Sequence, residues 1–170
     1  MLVFWGEMPR MSVKHAHDEP LERAKSLRLA PGLELLGFEK RTERSLPLYL
    51  AAVAAGFPSP ADDFIDKKLD LNEYCIEHPE ATFFVRVHGD SMRDAGIHSG
   101  DVLVVDRALE PRNNRVIIAA LNGELTVKRI RKTRDKLFLM PEHPDFAPIE
   151  VTHEASFEIW GVVSFVIHKV

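Results

Sequence analysis

Six short stretches between residues 82 and 166 are dense in Val, Ile and Phe and separated by turn residues. No other property of the chain limits its fold so much. The stretches are 82–87 (TFFVRV), 101–106 (DVLVVD), 115–121 (RVIIAAL), 124–130 (ELTVKRI), 136–140 (KLFLM) and 157–166 (FEIWGVVSFV). β-Branched and aromatic side chains pack well on a pleated surface, and Gly89-Asp90, Ser99-Gly100 and Asn122-Gly123 supply the breaks. Asn122-Gly123 is the strongest of these signals, because a two-residue type I′ hairpin needs positive φ at both central positions. Parallel neighbours would need long, usually helical crossovers, and most of the gaps have no room for one. The expectation is a mainly β body of mostly antiparallel strands, either barrel-like or a folded sheet.

Up to about residue 60 the chain reads differently. Charged stretches are broken by Pro9, Pro20, Pro31 and Pro47, and short helices are possible at 21–29 and 46–55, neither with a clean start or stop. This is an irregular N-terminal arm with little core of its own. Charge separates the two regions as well. Residues 1–55 carry a net +1 and residues 56–170 a net −5, out of 22 basic and 26 acidic side chains in all. An acidic body is a poor nucleic-acid binder, since phosphate contacts need surplus Lys and Arg. The basic cluster Lys128, Arg129, Arg131, Lys132, Arg134 and Lys136 reads as a solvated hairpin surface or, less commonly, a phosphate-binding patch.

Cys75 is the only cysteine, so no internal disulfide or multi-cysteine zinc site is open to the chain. The longest apolar run, 46–57, is too short to cross a bilayer as a helix, and the apolar start at 1–5 is too short for a signal-peptide core. A protein of a reducing, cytoplasmic compartment is expected.

Two positions carry chemistry. Ser91, in His88-Gly89-Asp90-Ser91-Met92, follows a strand on a turn that opens a short helical stretch at 91–94. Backbone N–H groups at such a start lack intrachain partners and can stabilise a developing oxyanion. A turn-capping serine is the commoner use of the position. Lys128 sits on the second strand of the Asn122-Gly123 hairpin, with Thr126 and Ile130 on its own face and Leu125 and Val127 on the other. Surface lysines are common on strands, but apolar neighbours on both faces allow this one to be partly buried. Desolvation could then bring its pKa from near 10.4 towards neutrality, and a neutral lysine beside Ser91 could take the serine's proton. His88, near the same turn, is the weaker candidate base.

Further stretches join these two residues into a pattern. Gly56-Phe57-Pro58-Ser59-Pro60-Ala61, Asp70-Leu71-Asn72, His78-Pro79, Gly89-Asp90-Ser91-Met92, Gly100-Asp101, Asn122-Gly123-Glu124, Thr126-Val127-Lys128 and Gly161-Val162-Val163 together resemble the UmuD family of LexA-like self-cleaving serine peptidases. The resemblance runs from about residue 45 to the C-terminus. It implies a LexA/UmuD-like peptidase body in which Ser91 is the nucleophile, Lys128 the general base and Ala55-Gly56 the bond cut. Backbone N–H groups of Ser91 and Met92 would serve the oxyanion. Ser91 lies 35 residues after Gly56, and Lys128 lies 37 after Ser91, as the family's spacing requires. The organisation that follows is an arm, 1–55, removed by self-cleavage, a linker at 56–80, and a Ser-Lys peptidase domain at 81–170. Ala55 stands where UmuD-type sites often carry cysteine, which is closer to LexA and leaves the chemistry intact.

The resemblance also implies a homodimer whose self-cleavage is stimulated by the RecA–single-stranded DNA filament. The shortened form would join a UmuC-type, Y-family DNA polymerase subunit in SOS mutagenesis. No cofactor, metal, membrane contact or sequence-specific DNA binding is expected. A LexA-like self-cleaving transcription repressor is the alternative, disfavoured by a proline-broken arm without a helix-turn-helix pattern. A signal peptidase lacks support without an anchor. A β-rich interaction module with an incidental serine and lysine is the non-enzymatic reading. Residues 1 to about 30 extend beyond the family's usual arm, with Met8 and Met11 as alternative starts and with His15 and His17 read as solvated.

Overall fold

The computed structural model describes residues 28–29, 33–36, 46–49 and 65–170. Its strands in chain order are β1 (Arg28–Leu29), β2 (Leu33–Leu36), β3 (Leu46–Tyr49), β4 (Ile65–Leu69), β5 (Thr82–Val87), β6 (Val102–Asp106), β7 (Val116–Leu121), β8 (Glu124–Lys132), β9 (Leu137–Met140), β10 (Ile149–Val151) and β11 (Phe157–Ile167). A short helix, α1 (Leu71–Cys75), and 3-10 turns at Pro79–Ala81 and Arg93–Ala95 complete the elements. Asp70 caps α1, its side chain accepting from Asn72 N at 2.8 Å.

The main sheet runs β10-β9-β8-β7-β11-β6-β5-β2, with β1 alongside β8, and a separate pair joins β3 to β4. Every pairing is antiparallel except β1 with β8, so the mainly β, mostly antiparallel body expected from the sequence is what forms. The β7–β8 hairpin closes at Asn122 and Gly123 with φ of 52° and 84°, the two positive values a type I′ turn demands.

Both faces of the sheet are covered. From β7, Ile118 and Ala120 enter one core with Val85, Leu103, Leu125 and Trp160, while Ile117 and Ala119 enter a second with Ile130, Leu139 and Val162. A strand buried on both faces has no polar side to show, which is why its sequence is apolar without alternation. β11 lies between β6 and β7, and its register shifts between Ile159 and Gly161. A Cβ at Gly161 would lie 2.7 Å from Val105 Cγ1 and 3.1 Å from Asp106 O, so β6 and β11 approach this closely only because that side chain is missing.

The N-terminal part departs from expectation. Residues 28–29 and 46–49 are strands, where short helices had been allowed at 21–29 and 46–55; the rest of those two segments lies outside the described residues. The apolar run that begins at 46 fits a helix and a buried strand equally by pattern. Pairing with β4 and β8 decides the matter, through backbone groups that would otherwise line open edges. The arm also enters the core: β2 adds to the outer edge of β5, and Leu33 is buried there. Leu46, at the start of the apolar run, is exposed. A further strand, β10, had no signal in the sequence and pairs with β9. No helix among the described residues is long and apolar enough to cross a membrane.

Candidate active site

The two residues singled out for chemistry meet. Ser91 sits on the turn after β5, half-buried, with the neighbouring Met92 side chain fully buried as an anchor. Backbone bonds close the turn, from Arg93 N to Asp90 O (3.0 Å), Ala95 N to Met92 O (3.0 Å) and Ile97 N to Met92 O (3.2 Å). The short helical stretch expected at 91–94 is a 3-10 turn over Arg93–Ala95. The segment after β9 grips it from outside: Glu142 N donates to Ser91 O at 2.8 Å, and Asp94 N donates to Glu142 O at 2.8 Å. The Glu142 side chain accepts from Arg129 Nε, which ties this grip to the residue following Lys128.

Lys128 stands opposite Ile117 in the β7–β8 ladder and is only 8% exposed. Its Nζ donates to Ser91 Oγ at 2.9 Å, Thr126 Oγ1 at 3.1 Å and Val127 O at 2.9 Å. Burial disfavours the ammonium and lowers the pKa from an ordinary 10.5 to about 8. At neutral pH about one molecule in ten then holds the free amine, against fewer than about one in a thousand for a solvated lysine. In the neutral form Thr126 Oγ1 and Val127 O accept the two remaining N–H bonds, which turns the lone pair towards Ser91 Oγ. The arrangement can therefore deprotonate a serine hydroxyl.

A cleft of about 280 Å³ opens over the pair, with Leu33, Val87, Thr126 and Phe146 among its walls. His88 also borders it, but the hydrogen bond to Ser91 Oγ comes from Lys128. The N–H groups of Ser91 and Met92 are not among the donors that close the turn within the described residues. Ala55 and Gly56 lie outside the described residues. They belong to the connection 50–64 that joins β3 to β4.

Comparison with known proteins bears on this geometry. The family described as Peptidase S24-like matches residues 47–164, which include Ser91, Lys128 and the strands from β4 to most of β11. The chain belongs to the S24-like peptidases. It is thus a serine peptidase, with the fold that the motifs led one to expect. Protein SamA of Salmonella typhimurium is 43% identical over 131 residues, covering 77% of this chain and 91% of SamA. Protein MucA of Escherichia coli is 47% identical over 121 residues, or 71% of this chain and 82% of MucA. These relatives bear out the resemblance to the UmuD family. LexA repressor 1 of Pseudomonas syringae pv. tomato is 39% identical over 139 residues, 79% of this chain and 68% of the repressor.

Sequence reasoning put Thr126 on the face of Lys128 without giving it a task; it is a hydrogen-bond partner of Nζ. Glu142, in Pro141-Glu142-His143-Pro144, offered no signal, because it works through its backbone on a turn 51 residues away. The basic cluster proves to be divided. Lys128 is sunk in the site, Arg129 pairs with Glu142, and Lys136 pairs with Glu150 at 3.0 Å.

Proposed function

We propose that this S24-like peptidase cuts its own chain between Ala55 and Gly56, with Ser91 as nucleophile and Lys128 as general base. The hydrogen bond from a buried lysine to Ser91 Oγ is the observation that carries this reading. Neutral Lys128 takes the hydroxyl proton as Oγ attacks the carbonyl carbon of Ala55. The oxygen of the tetrahedral intermediate gains charge, and the N–H groups of Ser91 and Met92 are the backbone donors assigned to receive it. Collapse breaks the C–N bond, and the Lys128 ammonium returns its proton to the amine of Gly56. Water, deprotonated by the same lysine, then hydrolyses the acyl ester and frees Ser91. Ala55 and Gly56 present little bulk, and Pro58 and Pro60 are residues that disfavour a helix.

The cut would fall in the connection between β3 and β4. It would leave the pairings of β1 with β8, β2 with β5 and β3 with β4 as the links between two separate chains. An intramolecular contact would become bimolecular and lose its high effective concentration. The departing piece would take with it β2, which covers the edge of β5, and Leu33, which lines the cleft. On this reading the released edge is part of what a partner recognises. The protein works in the cytoplasm as a homodimer. The RecA–single-stranded DNA filament stimulates the cut, and the shortened form joins a UmuC-type, Y-family polymerase as an accessory subunit in lesion bypass. The family resemblance supports these partner assignments. The repressor alternative has less behind it, since the LexA match leaves about a third of that protein unmatched and residues 1–55 carry a net charge of only +1.

Incubation of the full chain with activated recombinase filament, followed by intact-mass analysis, is expected to give a fragment of 115 residues beginning at Gly56. A fragment beginning elsewhere would remove the Ala55-Gly56 assignment. An intact chain under both filament and alkaline conditions would remove self-cleavage altogether.

A further inference from the structure

A second group of side chains gathers at the end of β11, and peptide hydrolysis makes no use of it. The antiparallel register of β11 with β6 ends at Ile167↔Val102, so the next residues along, His168 and Asp101, fall beside one another. His98 arrives from the turn just before β6. Asp101 is only 2% exposed. One of its carboxylate oxygens lies 2.6 Å from His168 Nδ1, and the other accepts from His98 N at 2.8 Å and lies 3.8 Å from His98 Nδ1. The two imidazole rings are 5.4 Å apart between centroids. One ligating atom from each residue lies within 4.8 Å of the other two.

This is more than a pair of surface histidines. A buried carboxylate is costly unless it is paired. The Asp101 main chain is fixed as well: Val87 N donates to Asp101 O at 2.9 Å and Asp101 N donates to His98 O at 3.1 Å. The imidazoles are about half exposed, so they can turn and an ion can reach them from solvent. Nitrogen and oxygen ligands around a tetrahedral ion at about 2.0 Å stand about 3.3 Å from one another, between the 2.6 Å of His168 Nδ1 and the 3.8 Å of His98 Nδ1 from their Asp101 oxygens. Two imidazoles with one carboxylate suit Zn²⁺ and its transition-series neighbours, whereas Mg²⁺ and Ca²⁺ prefer all-oxygen sets.

We propose that His98, Asp101 and His168 form a binding site for a divalent transition-metal ion of the Zn²⁺ type, with water completing the coordination. The ion would tie the chain just beyond β11 to the turn that leads into β6, two segments 67 residues apart. The competing state is the metal-free pair of His168 with Asp101.

The test uses the full chain, stripped with a chelator and titrated with Zn²⁺ by calorimetry. One ion per chain is expected at this site, and His98→Gln and His168→Gln should each weaken its binding about tenfold or more. Zn²⁺ should raise the thermal midpoint of the parent chain and not that of the double variant. The unmutated chain gives a second readout. Zn²⁺ should protect His98 and His168 from diethyl pyrocarbonate, as read by peptide mass spectrometry. Equal affinity in the double variant, undiminished modification of both histidines at saturating Zn²⁺, or no binding at about 1 mM would overturn the site.

Discussion

Replacing Lys128 by alanine should slow self-cleavage by about a thousandfold or more, as loss of one member of a nucleophile–base pair commonly does. Ser91→Ala should do the same. The more telling variant is Lys128→Arg. It keeps the positive charge and much of the bulk, but a guanidinium does not lose its proton in this pH range and cannot serve as a base. If Lys128 acted only by charge or packing, Lys128→Arg would retain substantial activity; acting as a base, it should be as inert as alanine. The fraction of intact chain followed by mass spectrometry at alkaline pH gives the rates. Far-ultraviolet circular dichroism checks that each variant keeps its sheet. Cleavage by Lys128→Ala within about tenfold of the parent rate would mean that another group takes the proton from Ser91.

The burial that lowers the Lys128 pKa should also be measurable as a cost in stability. Its folded pKa of about 8 lies below the ordinary 10.5 expected of the unfolded chain. Between those values the unfolded chain binds a proton that the folded chain does not, so this group makes stability rise with pH across the window. Below about pH 8 the full cost of burying the ammonium applies, about 3 kcal/mol. Lys128→Met keeps the length and removes the charge. It should be more stable than the parent at pH 7 by about 1–2 kcal/mol, once the lost hydrogen bonds to Thr126 and Val127 are set against the relief. Raising the pH through about 10.5 should shift the balance towards the parent by about 3 kcal/mol, because the neutral amine is no longer penalised. Urea unfolding of both proteins at the two ends of the window measures this. A difference that does not change with pH would mean that Lys128 titrates as an exposed lysine.

The strands that the sequence announced are those whose own composition is enough. β5, β6, β7, β8, β9 and β11 are rich in Val, Ile and Phe and bounded by turn residues, and the Asn122-Gly123 pair fixed the register of one hairpin outright. The strands without a signal are held by partners. β10 (Ile149–Val151) follows Pro148 and is mostly exposed, and only the edge of β9 makes it a strand. β4 (Ile65–Leu69) has a polar middle and needs β3, while β2 needs β5. Local pattern carries no information about which edge is open.

The candidate site divides in the same way. Ser91 and Lys128 were legible because a turn serine and a hairpin lysine stood at a recognisable spacing. Thr126, Val127 O and the Glu142 backbone complete the surroundings of the pair, and they emerge only once β8 lies beside the Ser91 turn. His98, Asp101 and His168 were missed for the same reason. No spacing rule joins residues 101 and 168, and the β6–β11 register does.

The pH dependence of filament-independent self-cleavage tests the Ser91–Lys128 pair most directly. In the proposed mechanism the active species is the neutral lysine, so the rate should rise about tenfold per pH unit below about 7.5 and level off above about 8, where Lys128 gives up its proton. The appearance of the Gly56-initiated fragment, quantified by mass spectrometry across the range, gives the profile. A rate independent of pH, or one still climbing tenfold per unit beyond about pH 10, would contradict a buried, pKa-lowered lysine as the base.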